Sequence, residues 1–468
     1  MGLSAAMEIG KNGLTIYRVA QEVTGENIAN VNTPGYSRQR VILESAPPTN
    51  ANGFPLGTGV KISAVERYYD GLLQQQLVNA QTSQGFDTTK STVLQQVEPY
   101  FNEVSNDGIG TAVANYFTAW QDLSLNPSGS SERQVVMTRA QILADNFHTV
   151  STGLTNTISI QNASLVPLTD SINNTLTNIA QLNGQIKYTE LVSGNANEIR
   201  DQRDQLVRDL SKQVGITFTE NSDGTTDIKF ADAGGTTALV TGTSAGAFSL
   251  TTNDGTGLYN VNLTPPGGAA SIVTPASGQL GATIALRDTI IPNYLTQIDT
   301  LAKSVIDAVN TEHFAGFSPT GGTGQNFFTP SNTVAGSAAA FSLEAGLNIT
   351  TIAASRSATL PGDNSKAVTI AKLAGTATVP SGAPTATFSS FYSSFVSKVG
   401  LDVLSSKTTV AQDEAFTRQL STLRESNSGV SLDEELTNLI KYQRSYQASA
   451  KLITTATEMM DTVIGMLR

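Results

Sequence analysis

Asn27-Ile28-Ala29-Asn30-Val31-Asn32-Thr33-Pro34-Gly35-Tyr36-Ser37-Arg38-Gln39-Arg40 closes a short amphipathic N-terminal segment. Helix-compatible residues run up to this stretch without a proline. Inside it, Asn27, Asn30 and Asn32 crowd a boundary, and Thr33-Pro34-Gly35-Tyr36 writes a turn. Pro34 fixes φ at about −65° and Gly35 takes positive φ without steric cost, the pair that a type II turn needs at its two central positions. A helix stops here and the chain reverses, leaving through the polar Ser37, Arg38, Gln39 and Arg40.

Outward from the turn, the preceding segment places small or apolar residues at Ile9, Gly13, Ile16, Ala20 and Val23. Steps of four and three are the spacing of a coiled-coil seam. Gly10 and Gly13 weaken a helix by up to ~1 kcal/mol each, and a lone helix of about 12–15 residues is marginal in water. This helix is therefore expected to order only when a partner covers its seam. The opposite end of the chain offers one. Leu432, Leu436, Leu439, Gln443, Tyr446, Ala450, Ile453, Thr457, Met460, Ile464 and Leu467 step four and three without a break. Ser431 and Glu434 have capping-box spacing, and Asp433, Glu434 and Glu435 suit a helix N-terminus. The result is a predicted helix of about 54 Å at ~1.5 Å per residue, whose natural partner is the N-terminal seam.

Between the ends, the apolar period is helical at both flanks. A capping box at Ser131–Gln134 opens a run through Val136, Leu143, Phe147, Val150, Leu154 and Ile158, and the pattern resumes after Pro167 with Ile172, Leu176, Ile179 and Ile186. Next, Glu198–Leu206 puts Arg200/Asp204 and Asp204/Arg208 at i,i+4, the spacing of helix-surface ion pairs. Further helices are predicted over about 286–311 and 388–423. From Val214 to Ala282 the period changes to two. Ile216/Phe218 and Ile228/Phe230 flank Asp223-Gly224, and Phe248/Leu250 and Tyr259/Val261/Leu263 flank Asp254-Gly255, two hairpin signals. From Gly316 to Ala386 the chain is rich in Gly, Ala, Thr and Ser, with Pro319, Pro330, Pro361, Pro380 and Pro384; it reads as loops, short strands and one short helix near Lys366–Leu373.

The expected architecture is an α+β multidomain chain. Residues 1–65 and 428–468 form a terminal coiled-coil domain. Residues 66–214, 284–315 and 386–427 form an inner helical-bundle domain, residues 215–283 an inserted antiparallel β-rich domain, and residues 316–385 an irregular segment.

Composition narrows the function. The chain has 468 residues, 14% of them charged, and a formal net charge of −11. Neutral polar side chains cost less than charges to bury against another subunit. No Lys/Arg run marks a nucleic-acid surface. Cysteine is absent, which removes disulfides and thiolate chemistry. No segment approaches the roughly 20 apolar residues of a membrane span. The first residues carry Glu8, Lys11 and Arg18 without an apolar core, unlike a cleaved secretory signal. The chain is thus expected either to stay in the cytosol or to leave without signal cleavage. The two histidines, His148 and His313, read as ordinary helix-surface or helix-end residues, with no second His at i+4. Gly321-Gly322-Thr323-Gly324 lacks the Gly-Lys-Ser/Thr ending of a phosphate loop. Asp433-Glu434-Glu435 is explained by the helix terminus without a metal, and Asp223 and Asp254 by turns. Neither catalytic residues, cofactor nor metal is expected.

The opening stretch resembles the signature of the bacterial flagellar axial proteins, a family of rod, hook and hook-associated proteins. Three further segments resemble its hook-associated, hook–filament junction branch. These are Asp201–Leu206 with Val214-Gly215-Ile216, Val309–Gly316, and Ser428–Glu435 with Tyr442–Ala448; Gly362-Asp363-Asn364-Ser365 is a weaker match. The segments keep the family's order from residue 27 to the C-terminus, while the β-insertion does not match in detail.

The resemblance implies a structural protein, not an enzyme, exported extracellularly by the flagellar type III apparatus without cleavage. It would form a ring of its own copies at the hook end, joining hook protein to a second junction protein, and an export chaperone would carry it. Neither nucleic acid nor membrane insertion is implied. A hook or rod subunit is the alternative within the family, and a secreted adhesin or enzyme on a flagellar stalk the alternative outside it. Assembly contacts are expected at Ile9, Ile16, Val23, Asn27, Asn30, Asn32, Pro34, Gly35, Tyr36, Arg38, Leu432, Leu436, Leu439, Tyr446, Ile453, Met460 and Ile464, with the Asn and Arg side chains of the turn facing neighbouring subunits.

Overall fold

A computed structural model describes residues 2–51, 54–102, 108–192, 194–231, 237–360, 362–380 and 385–466. Helix α1 (Gly2–Ala29) is followed by strands β1 (Gln39–Ser45), β2 (Thr49–Ala51), β3 (Phe54–Leu56) and β4 (Val60–Arg67), with the β2–β3 pair nested inside the β1–β4 pair. Helices α2 (Gly71–Val97), α3 (Ile109–Leu125), α4 (Ser130–Val192) and α5 (Asn197–Gln213) come next. Among the described residues seven strands follow: β5 (Ile216–Glu220), β6 (Thr226–Phe230), β7 (Ala238–Thr241), β8 (Ser244–Ala245), β9 (Ala247–Thr252), β10 (Tyr259–Thr264) and β11 (Ser271–Ile272). Helix α6 (Gly278–Ala285) joins α7 (Ile291–Phe314) through a π turn, and α8 (Ser365–Lys372), α9 (Phe388–Ser428) and α10 (Leu432–Met466) complete the chain.

The chain divides into two compact units. The first comprises residues 1–85, 167–278 and 412–468, the second residues 86–166 and 279–411. These units cut across the boundaries expected at 65, 214 and 283, because α2, α4 and α9 each contribute to both.

In the first unit, α1 and α10 run antiparallel, with Tyr17 stacked on Tyr442 and Asn27 bonded to Glu435. Strands β1 and β4, absent from the sequence-based expectation, form a hairpin with a register shift between Ile42 and Leu43. Gly59, at φ +95°, lets the chain close against Ile9. Both expected hairpins form, β5–β6 and β9–β10. They extend into a four-stranded sheet ordered β5-β6-β7-β8 and a three-stranded sheet ordered β11-β10-β9. Their loops are longer than a two-residue turn. The Asp223 carboxylate accepts from the Thr225 N–H and hydroxyl, and in the second hairpin Asn253, not Asp254, caps the loop by accepting from the Gly255 N–H. Two asparagines of α4 bind the sheets as substitute strands. Asn173 donates to the Phe248 carbonyl and accepts from its N–H, and Asn183 does the same at Thr226.

Helix α4 is one continuous element. The helix runs 63 residues through Pro167, the point after which the apolar pattern resumes in the sequence. Proline removes one helical donor at a cost of about 3 kcal/mol, but Leu165 and Leu168 on either side are buried, and their burial holds the helix together. Helices α2 and α3 had no separate prediction. The apolar stripe of α3 is Val113, Tyr116, Phe117, Trp120 and Leu123, all buried. That of α2 is interrupted by glutamines.

The second unit packs α3, the first half of α4, α7 and the start of α9 around Tyr116, Trp120, Phe147 and Phe395. The segment expected to be irregular contains α8 and isolated bridges such as Phe328↔Leu343. It nevertheless supplies core residues, with Phe327, Phe328 and Phe341 fully buried. Pro361 and Pro384 lie outside the described residues.

What fixes this coil is the family-like segment Val309–Gly316 at the end of α7. The Asn310 side-chain Oδ1 accepts from the N–H groups of Phe327 and Phe328 at 2.9 Å each, and its side-chain Nδ2 donates to the Phe328 backbone carbonyl. The His313 Nδ1–H donates to the Gln325 carbonyl at 2.8 Å, while Nε2 accepts from the Ala353 N–H at 2.9 Å. His313 is therefore no ordinary helix-end residue: it is a buried neutral pin with both ring nitrogens used. Burial lowers its pKa to about 4. Asp363, in the weaker matched segment, accepts from the Arg356 N–H and the Ser365 hydroxyl.

Candidate functional site

The expected turn is present. The Tyr36 N–H donates to the Thr33 carbonyl at 3.2 Å, and Gly35 between them has φ +86°. Its stability comes from Asn27, which is 1% exposed. The Asn27 side-chain Oδ1 accepts from the Tyr36 hydroxyl and the Gln39 N–H, both at 2.9 Å. Its amide donates to the Gln39 carbonyl at 2.9 Å and to Glu435 at 3.0 Å. All four hydrogen-bonding positions of one side chain are filled, which no carboxylate or aliphatic residue of that size reproduces.

Around this residue the matched segments converge. Asp201 of α5 accepts from the Ser37 N–H at 2.7 Å and from its hydroxyl at 2.8 Å. Arg67 of β4, with its side chain only 6% exposed, bridges Asp201 at 2.7 Å and Asp204 at 2.8 Å. Burial opposes the charge on Arg67, but Asp204 and Asp201 outweigh it and raise the guanidinium above its ordinary value. Arg38 is held by Glu434 at 2.6 Å and Glu435 at 2.7 Å. Arg424 of α9 donates to the Gly35 carbonyl, and the Arg38 N–H to the Ser428 carbonyl. The turn, the start of α5 and the start of α10 thus form one polar node.

Several expectations are corrected here. The i,i+4 pairs Arg200/Asp204 and Asp204/Arg208 do not form, because partners from other elements compete successfully. Arg200 pairs with Glu190 and Glu220, Asp204 with Arg67 and Arg203, and Arg208 bonds Gln74 and Gln205. Glu434 and Glu435 do more than favour a helix terminus, since they hold Arg38. Asn27 and Arg38 face their own chain, not outward. Asn30 is also used internally, donating to the Glu26 carbonyl and accepting from Thr33. Asn32 and Pro34 are exposed at the tip. Beside the turn lies a groove of about 450 Å³, lined by Pro34, Tyr36, Leu182, Glu198, Gln202 and Leu206 among others. Among the described residues no three acidic, histidine or cysteine side chains are placed to hold a metal.

Replacing Asn27 by Asp puts a second carboxylate against the buried Glu435 and removes two donated bonds. A loss of roughly 3 kcal/mol is expected, read as a lower chemical-unfolding midpoint for the first unit by circular dichroism.

The helical seam is close-packed but turned from its expected position. On α1 the buried residues are Gly10, Gly13, Ile16, Ala20, Thr24 and Asn27; Ile9 and Val23 are half-buried. A Cβ on Gly10 would lie 2.6 Å from Ile453, and one on Gly13 would lie 2.6 Å from Ser449. The glycines that weaken α1 alone therefore let the two backbones approach. On α10, Leu439, Ile453 and Met460 are half-buried. Leu432, Leu436, Tyr446 and Ile464, expected in the same seam, are exposed, as are Ile440, Met459 and Val463. One helix covers one side of another, and α1 covers the side of Tyr442 and Ile453, leaving these apolar side chains bare. Leu467 lies outside the described residues. Periodicity marked apolar positions but could not say which of them α1 would cover. Glu435, Gln39, Arg67 and Asp201 were missed as site residues, because their partners lie far away along the chain.

Three family models match the chain. One describes the flagellar hook-associated protein FlgK helical domain and matches residues 94–328. A flagellar basal body rod FlgEFG C-terminal model matches residues 424–466, and a flagella basal body rod protein model matches residues 7–36. Flagellar hook-associated protein 1 of Bacillus subtilis is 29% identical over 98% of this chain and 97% of its own length. That of Escherichia coli is 26% identical over 99% and 100%. The solved flagellar hook junction protein FlgK from Burkholderia pseudomallei superposes with a TM-score of 0.67 at 18% identity, over 76% of this chain and all of the other, a likeness of fold.

Proposed function

Because the chain belongs to the flagellar hook-associated protein 1 family, structural proteins of the flagellum, we propose that it builds the hook–filament junction as a self-assembling ring subunit. The observation that carries this reading is the exposed apolar side chains of α10. Leu432, Leu436, Ile440, Met459, Val463 and Ile464 are between 45% and 59% exposed in the single chain. Leu432, Leu436 and Ile440 follow at i,i+4 along one side of the start of the helix, with Met459, Val463 and Ile464 a second exposed group near its end; exposed apolar clusters of this kind mark interaction sites, and the occupant that fits the family is another copy of the same terminal helices. The exposed Asn32 and Pro34 at the turn's tip lie where a neighbouring copy can reach them.

Hook protein on one side and a second junction protein on the other complete the proposed partners. Delivery is by an export chaperone and the flagellar type III apparatus to the cell exterior, without signal cleavage. The role is mechanical, with no chemistry assigned to the polar node beyond holding the turn.

The test is a strain lacking this gene, viewed by electron microscopy. Complete hooks without filaments, with unassembled flagellin in the medium, are expected. Absence of the hooks themselves would instead make the chain a hook or rod subunit.

A further inference from the structure

Helix α10 leaves two separate apolar groups uncovered, one near each end. The first is Leu432, Leu436 and Ile440, exposed by 45%, 49% and 59%. The second is Leu452, Met459, Val463 and Met466, exposed by 40%, 56%, 48% and 82%. At about 100° per residue the two groups centre roughly 150° apart around the helix. Helix α1, which meets α10 at Glu435, Tyr442, Ser449 and Ile453, occupies the middle of the wider arc between them. The groups therefore face away from α1 on opposite flanks. Their centres, near Leu436 and Met460, are roughly 36 Å apart along the axis at ~1.5 Å per residue.

Each flank is apolar at one end and charged at the other. On the flank of the first group, the far end of the helix exposes Lys451, Glu458 and Asp461. On the flank of the second, the near end exposes Glu434 and Lys441. Two parallel copies set side by side at equal height would press apolar side chains onto charges at both ends, which desolvates the charges without pairing them. A shift of one copy by the separation of the groups sets apolar on apolar instead. Contact of either group with itself is isologous and closes at two copies. Such a pair would rest on three or four of these side chains from each copy, against the roughly 20–30 residues a side of a stable interface.

We propose that the two groups are the halves of one heterologous contact. The Leu432/Leu436/Ile440 group of each copy seats on the Leu452/Met459/Val463/Met466 group of the next, with the helices parallel and offset by ~36 Å along α10. The occupant of each surface is a second copy of this chain, and every copy uses both surfaces. The offset makes the ring a stepped one, since a heterologous contact that does not close winds onward. This inference rests on the junction role proposed above, and the two can fail separately.

The chain has no cysteine of its own, so introduced thiols report unambiguously. Leu436→Cys, Met459→Cys and the double variant are each produced at full length in the strain lacking this gene. Detached flagella are treated with a short bis-maleimide and resolved by denaturing electrophoresis. The double variant is expected to give a ladder of dimers, trimers and longer chains, and each single variant is expected to remain monomeric. The pair Ile440→Cys with Val463→Cys has the same spacing along the helix and is expected to give the same ladder, so the test does not depend on one variant being built in. Dimers from either single variant overturn the contact, because only like-on-like packing brings identical positions together. Flagella that contain both double variants, yet give monomers alone, overturn it while leaving the junction role intact. Absence of the unaltered chain from flagella removes the junction role and this contact with it.

Discussion

Replacement of Arg67 by Met is expected to destabilise the first unit by roughly 3–5 kcal/mol, the cost of leaving a buried charge without its partner. Arg67 is the shared cation of Asp201 and Asp204, and its side chain is 6% exposed. Without it, two carboxylates one helical turn apart confront each other in a site that water barely reaches. Asp201 keeps both bonds from Ser37, and Asp204 keeps Arg203, so the fold persists while its ends loosen. The loss carries a pH signature. An uncompensated carboxyl has a raised pKa, so the variant's deficit shrinks below about pH 5 and is largest at neutral pH. Chemical unfolding followed by circular dichroism at pH 4.5 and pH 7.5 checks both. A methionine variant as stable as the unaltered chain at pH 7.5 would remove the polar node as the anchor of the turn.

In the second unit the largest effect is expected from His313→Ala, about 3–4 kcal/mol. Part is the desolvation of two backbone groups left without partners, the Ala353 N–H and the Gln325 carbonyl, at ~1–3 kcal/mol each; part is the cavity left by the ring. The unaltered chain also has a pH dependence of its own here. His313 has its pKa lowered to about 4 by burial, against about 6.5 unfolded. A base depressed on folding contributes stability that is complete above about pH 6.5 and is lost as pH falls from there through 4, up to roughly 3 kcal/mol in total. The single tryptophan, Trp120, lies 6.2 Å from the His313 ring and reports this unit by fluorescence. The alanine variant should show a lower unfolding midpoint at pH 7 and a flatter acid limb.

The two nodes were unequally legible in sequence. The turn at Thr33–Tyr36 could be read from Pro34 and Gly35, because local sterics alone decide such a turn. The hairpins β5–β6 and β9–β10 were legible for a similar reason, a period of two broken by turn residues. What Asn27 does was not legible, since its four partners come from residues 36, 39 and 435, and spacing along the chain carries no sign of the last. The Arg200, Asp204 and Arg208 pairings went wrong for the related reason that helix-surface spacing predicts local pairs worth only a few tenths of a kcal/mol. Arg67 and Glu220, reached through the fold, compete more strongly. The coil after Gly316 looked featureless because its order is imposed by Asn310 and His313. The α10 stripe was visible from Leu432 to Ile464, but periodicity does not distinguish a side covered by α1 from one left for a neighbour.

That bare side is the central claim, and Leu436→Asp with Ile440→Asp tests it most directly. Both residues are exposed in the single chain, at 49% and 59%, so the double variant should fold and leave the cell as the unaltered chain does. In the assembled ring each aspartate would be buried without a partner, at a cost of several kcal/mol. The measurement is electron microscopy of the gene-deletion strain supplied with this variant, with the chain assayed in the medium. Complete hooks without filaments, and the variant free in the medium, are the expected result. Normal filaments with the variant built into the junction would contradict the account.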